Sequence, residues 1–134
     1  MSYNRDWNAE NRDVIAEFRT NGGKDSLILL TTIGAKSGLP RTTPLVYTAD
    51  DDRIIVIASK RGSPSHPDWY HNLVAHPEAT VELGAEQFQV RATIAEGEER
   101  QRLFDEMAAQ FPFFHNYQKS VTRQIPVMIL ERIG

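Results

Sequence analysis

The sequence predicts a mainly β, α+β fold: a small closed or split β-barrel of six strands with helices inserted between them. Six β-branched or apolar runs are separated by turn residues, and they are not joined by the regular crossover helices that a Rossmann-type sheet requires. Length sets the scale, since 134 residues with 40% hydrophobic content fill one core and predict a single domain over residues 1–134.

Trp7, Val14, Ile15 and Phe18 recur at roughly helical spacing before Asn21-Gly22-Gly23, predicting an amphipathic helix over about 7–19. Its charges (Arg5, Asp6, Glu10, Arg12, Asp13, Glu17, Arg19) are mixed, which opposes a firm membrane anchor and favours a lid over a pocket. Strands follow over 26–33, 42–49 and 53–59, with Asp50-Asp51-Asp52 as a solvated turn that lacks the spacing of a calcium loop. Asp68 is expected to cap a helix reaching about Ala75. A hairpin then spans 80–83 and 88–95 around Gly84-Ala85-Glu86. Leu103, Phe104, Met107 and Ala108 share one side of a helix over 97–111 that ends at Pro112. Residues 113–123 are ambiguous, and 125–133 form the sixth strand.

Between the first two strands lies Gly34-Ala35-Lys36-Ser37-Gly38-Leu39-Pro40-Arg41-Thr42-Thr43-Pro44. Two glycines and a proline permit a tight backbone whose N–H groups point into one concavity, while Lys36, Ser37, Arg41 and Thr43 add cationic and hydroxyl donors. This predicts an anion-binding hairpin; the alternative is a surface turn whose charges serve solubility. A Walker P-loop is excluded, because that motif needs Gly-x4-Gly-Lys-Ser/Thr followed by a helix.

The absence of cysteine excludes disulfides, thiol chemistry and thiolate metal sites. With no apolar N-terminal stretch, a cytoplasmic protein is expected. A net charge of −3 opposes nucleic-acid binding, yet Lys36, Arg41, Lys60 and Arg61 in loops allow a basic pocket for a small anion. His66, His71 and His76 recur every five residues instead of aligning as an i, i+4 pair, so no metal site is expected.

Taken together, Asn21-Gly22-Gly23, Leu29-Leu30-Thr31-Thr32-Ile33-Gly34-Ala35-Lys36-Ser37-Gly38, Arg41-Thr42-Thr43-Pro44-Leu45, Ala58-Ser59-Lys60-Arg61-Gly62 and Pro67-Asp68-Trp69-Tyr70-His71-Asn72-Leu73 resemble the deazaflavin-dependent nitroreductase and quinone reductase family, over about 14–131. The resemblance implies a split β-barrel of the flavin/deazaflavin-binding type. It also implies coenzyme F-420, an 8-hydroxy-5-deazaflavin with a phosphodiester and a polyglutamate tail, and hydride transfer to a quinone, nitro compound or unsaturated lactone. On the matched positions it implies cofactor contacts from Lys36, Ser37, Gly38, Arg41, Thr43, Pro44, Ala58, Ser59, Lys60, Gly62, Trp69 and Asn72. Phosphate and carboxylates suit Lys36, Arg41 and Lys60, with backbone N–H groups around Gly38 and Gly62 completing the cradle.

Within that set, Ser59 is the candidate for a catalytic hydrogen bond near the ring or substrate, against a plain strand-end role. Trp69 walls the ring pocket or fills the core, and Asn72 holds a loop or a cofactor group. Phe111, Phe114 and Tyr117 recur every three residues as a substrate-side ridge or a structural cluster, with Tyr117 the residue that positions or protonates the acceptor. Nitroimidazole-reducing relatives are rich in tyrosine here; only Tyr117 keeps a hydroxyl, which argues against nitroimidazole activation. Two other readings stay open: a barrel reductase using flavin mononucleotide, and a non-enzymatic deazaflavin carrier. The expected partner is a small hydride acceptor, with at most peripheral contact at the inner face of the membrane and a monomer favoured over a homodimer.

Overall fold

The computed structural model describes residues 12–16, 18, 19 and 27–133. Trp7, the Asn21-Gly22-Gly23 stop and Ser26 lie outside them. Seven strands form one antiparallel sheet: β1 Leu27–Ile33, β2 Pro40–Val46, β3 Thr48–Asp50, β4 Arg53–Ile57, β5 Glu78–Leu83, β6 Glu86–Ile94 and β7 Val127–Arg132, in the order β2-β1-β5-β6-β7-β4-β3. A short helical turn spans Lys60–Gly62, and the helices are α1 Asp68–Ala75, α2 Gly97–Gln110 and α3 Phe113–Lys119.

The two edge strands, β2 and β3, are separated in sequence by Tyr47 alone. The segment expected as one strand over 42–49 pairs with β1 through Pro40–Val46 and with β4 through Thr48–Asp50. Seven strands replace the expected six because this one segment serves both edges. The sheet therefore curls on itself and leaves little free edge to template aggregation.

Alternation along the strands separates two cores. Ile28 and Leu30 of β1, Ile54 and Val56 of β4, Val81 of β5, Val90 and Ala92 of β6, and Met128 and Leu130 of β7 point into the barrel, where Trp69 and Leu73 of α1 plug the interior. Ile55 and Ile57 of β4 and Val127 and Ile129 of β7 point outward against Leu103, Phe104, Met107 and Ala108 of α2 and Phe114 of α3. Burial on both faces explains why β4 and β7 read as unbroken apolar runs instead of alternating ones.

Three expectations change in detail. The ambiguous stretch 113–123 contains α3, which follows α2 after a break at Phe111 and Pro112. Asp68 is the first residue of α1, not its cap; Pro67 takes the cap position, and the Asp68 carboxylate still lies in the first turn, where the helix dipole favours it. The Asp50-Asp51-Asp52 turn is not wholly solvated. Asp50 pairs with Arg53 and with Arg102 of α2, at 3.2 Å for the latter, and Arg53 reaches Glu99 at 3.3 Å, which ties α2 to the β3–β4 turn. Hydrogen bonds from Arg102 and then Arg53 hold the Asp50 carboxyl below the usual range.

The described part of the N-terminal helix carries a buried Phe18, and Arg19 donates to Glu82 of β5 at 2.8 Å. No helix among the described residues is long and apolar enough to cross a membrane.

Because β7 is buried on both faces, neighbouring truncations there should both be severe. Met128→Ala and Ile129→Ala are each expected to cost about 2–5 kcal/mol in urea denaturation, while Thr93→Ala on the exposed face of β6 should stay within about 0.5 kcal/mol. A mild result for either β7 variant would contradict the two-core arrangement.

Candidate functional site

The β1–β2 hairpin places its six-residue loop, 34–39, at one end of the barrel. Gly34 N–H donates to the Leu39 carbonyl at 2.8 Å and Gly38 N–H to the Gly34 carbonyl at 2.9 Å, folding the loop back on itself. A Cβ on Gly34 would stand 2.3 Å from Ser37 Oγ, and the same Oγ accepts from Leu39 N–H at 3.2 Å. Ser37 thus shapes the loop from within.

Asn72 holds this loop from α1. Its Oδ1 accepts from Ala35 N–H at 2.9 Å and its Nδ2 donates to Thr32 Oγ1 at 3.0 Å; both Asn72 and Thr32 are buried. With its amide engaged at both ends, Asn72 positions backbone. Lys36, whose side chain is exposed, has no partner among the described residues. Arg41 and Thr43 follow on β2 on the face shared with Leu45, and Pro44 lies on the opposite face, shared with Thr42.

The second part of the site follows β4. β3 follows β2 after Tyr47 and pairs antiparallel with β4, so the 58–63 segment that continues β4 runs back toward β2. Ala58 and Ser59 are buried, and the chain then turns through three residues in the left-handed region: Lys60 (φ 47), Arg61 (φ 53) and Gly62 (φ 79). Each non-glycine residue in that region costs about 1–2 kcal/mol, so the turn persists only because its surroundings over-determine it. Gly62 N–H closes the turn onto the Ser59 carbonyl at 3.0 Å, and Lys60 Nζ reaches Ser65 Oγ at 3.3 Å.

Gly62 also brings this turn against α3. A Cβ there would lie 2.8 Å from Ser120 Oγ and 3.3 Å from Tyr117 Cδ1. The aromatic residues divide at this point. Phe114 is 4% exposed and belongs to the outer core, so it supports the helix instead of lining a pocket. The aromatic pair with exposed surface on α3 is Phe113 and Tyr117, one turn apart, with ring centroids 5.5 Å from each other. Phe111, half-buried, packs edge-on to Phe114. Trp69 lies in the barrel core, consistent with its packing alternative.

Several residues that organise the site carried no sequence signal. Arg123 donates from Nε to the Ser63 carbonyl at 3.1 Å, from Nη1 to the Ala58 carbonyl at 3.2 Å and from Nη2 to the Ser59 carbonyl at 2.9 Å. Its Nη1 also meets His66 Nδ1 at 2.8 Å, which requires the neutral His66 tautomer with the proton on Nε2. Burial lowers the Arg123 pKa, but a guanidinium stays charged. Behind it, Gln118 of α3 donates to the Arg123 carbonyl at 2.8 Å. Its Oε1 receives Ile125 N–H at 2.9 Å and the buried Arg100 at 3.1 Å. Arg123 and Gln118 sit in the stretch without clear periodicity, where spacing says nothing about a partner 60 residues away.

Two measurements follow from this geometry. Gly62→Ala combines a left-handed φ with a steric conflict and should cost about 1–3 kcal/mol, whereas Gly38→Ala, at φ 70 with open space around it, should cost only about 1 kcal/mol; equal losses in thermal unfolding would contradict the close approach to α3. For pH, burial, then Arg123, then His71 lower the His66 pKa. The folded state thus favours neutral His66, so its stabilising contribution is present above the unfolded value of about 6.5 and is lost as pH falls below it. Tm should decline between about pH 7 and 5, less steeply in His66→Gln; identical slopes would rule out this linkage.

Comparison with known proteins shows the family. A family model described as F420H(2)-dependent quinone reductase matches residues 5–132. An F420H(2)-dependent quinone reductase of Mycobacterium tuberculosis is 39% identical over 119 residues, covering 85% of this chain and 78% of that protein. Among solved structures, an F420-H2 dependent reductase aligns with a TM-score of 0.74 at 37% identity, covering 80% of this chain and 95% of its own. A second, described as a domain-swapped dimer, aligns at 0.76 with 33% identity, covering 92% and 96%. The chain belongs to the F420H(2)-dependent quinone reductase family, oxidoreductases whose cofactor is coenzyme F-420.

Proposed function

We propose that this protein passes a hydride from reduced coenzyme F-420 to a quinone-type acceptor, with the 34–44 loop and the 58–63 turn holding the cofactor's anionic end and Tyr117 facing the acceptor. One observation supports this reading above the others: Gly62 lets the cationic turn pack directly on Tyr117, so the anion-binding and aromatic parts of the site are contiguous. The donor set suits the group. Lys36 and Lys60 on turns and Arg41 near the start of β2 carry exposed positive charge, and no carboxylate among the described residues pairs with them. A phosphodiester and carboxylate tail would supply the missing counter-charge.

When bound, the deazaflavin supplies the hydride and its redox chemistry. The chain's residues bind, orient and exclude water. Ser59, buried at the end of β4, uses its carbonyl within the turn, and its hydroxyl remains available to a ring or acceptor oxygen. Phe113 and Tyr117 offer an apolar face for a planar acceptor, with the Tyr117 hydroxyl as the donor to a developing phenolate-type oxygen. Ser37 and Asn72 act on the loop that carries Lys36. In this reading the chain's own α3 covers the turn, which favours a monomer; native sizing tests it, and a dimer would align the protein with its domain-swapped neighbour.

Titration with coenzyme F-420 and, in parallel, flavin mononucleotide should show selective deazaflavin binding, and menadione should reoxidise the reduced cofactor. Preference for the flavin, or binding without quinone-dependent reoxidation, would overturn the reading in favour of a flavin reductase or a carrier. Lys36→Ala and Arg41→Ala should raise the Kd, with the loss shrinking at high salt and kcat at saturation unchanged. Tyr117→Phe should lower kcat for the quinone; unchanged turnover would remove Tyr117 as the proton donor.

A further inference from the structure

We propose that Arg123 is a positioning residue of the deazaflavin site: its guanidinium grips the backbone on both sides of the left-handed turn and so aims the Lys60 amide at the cofactor's anionic end. The inference rests on the reading above that this turn meets the cofactor.

Three carbonyls converge on one side chain. Ala58 and Ser59 precede the turn and Ser63 follows it, and all three accept from Arg123. A planar fork held at three points fixes the entry and exit of the segment, which is what a run of three left-handed residues needs in order to persist. In a trans peptide the C=O and N–H point in opposite directions. Drawing the Ser59 carbonyl toward Arg123 therefore turns the Lys60 N–H away from it, outward from the fork.

Charge adds a second effect. The partners of Arg123 are carbonyls and the neutral His66, and no carboxylate among the described residues pairs with it. The guanidinium is half-buried, so its positive charge is poorly screened and stands behind the same turn that carries Lys60. The groups facing His66 are Arg123, the Tyr70 ring at 4.6 Å and the His71 ring at 5.8 Å; none is acidic.

Arg123→Lys separates the two effects, since it keeps the charge and loses the fork. The experiment measures coenzyme F-420 affinity for wild type, Arg123→Lys and Lys36→Ala, with Tm for each, and amide hydrogen exchange across 59–63 in the cofactor-free proteins. The expected result is a Kd raised about tenfold or more in Arg123→Lys together with faster exchange in the turn. If Arg123→Lys does not fold, His66→Leu, which removes one acceptor of the fork and leaves the three carbonyls, should give a smaller loss of affinity with the same faster exchange. Arg123→Lys affinity within about twofold of wild type, or turn exchange unchanged in the folded variants, overturns the proposal. Failure of the underlying reading has a different signature: wild type does not bind the deazaflavin, or Lys36→Ala binds as well as wild type.

Discussion

The constraint on which the rest of the structure depends is the double use of the segment running from β2 into β3. An antiparallel sheet has two edges, and here both belong to one stretch of chain that pairs with β1 before Tyr47 and with β4 after it. Closure on itself removes most unpaired backbone and forces the strands to enclose an interior. It also turns the chain that continues β4 back toward β2.

Rim loops on a closed barrel must still be held in shape, and this chain does so with the buried Asn72 amide and the half-buried Arg123 guanidinium. Asn72 reaches from α1 to Ala35 and Thr32; Arg123 reaches from the segment after α3 to three carbonyls around the left-handed turn. Both bond backbone groups of the loops with side-chain partners, which costs less than leaving polar backbone unsatisfied. Lys36, Arg41 and Lys60 have no carboxylate partner among the described residues. That division, neutral hydrogen bonding behind and unpaired charge in front, suits a ligand with several negative charges on a protein whose own net charge is −3.

The helices extend the same logic to the acceptor side. α2 is clamped to the barrel by its apolar face and by the Asp50, Arg53 and Arg102 pairs, and α3 is stitched to the chain that follows it through Gln118, Arg100 and Ile125. Arg100 lies across the Phe104 ring at 4.6 Å and donates to the Gln118 and Ile125 carbonyls, so this buried cation sits against an aromatic face and hydrogen-bond acceptors. Fixing α3 in this way fixes the distance between Tyr117 and the turn at Gly62.

By itself the sequence determined most of the strands, helices α1 and α2, the glycine-rich hairpin and the ordered motifs that mark the family, because each of these is written in local periodicity, turn chemistry or residue identity. Tertiary structure alone decided the rest. The split at Tyr47 depends on which strands lie at the two edges, and pairing partners are not local. Phe114 turned inward and Phe113 outward because α2 and the outer face of β4 and β7 already occupy one side of α3, which a three-residue spacing does not reveal. Arg123 acquired its place from carbonyls about 60 residues away, whose positions exist only once the barrel has closed.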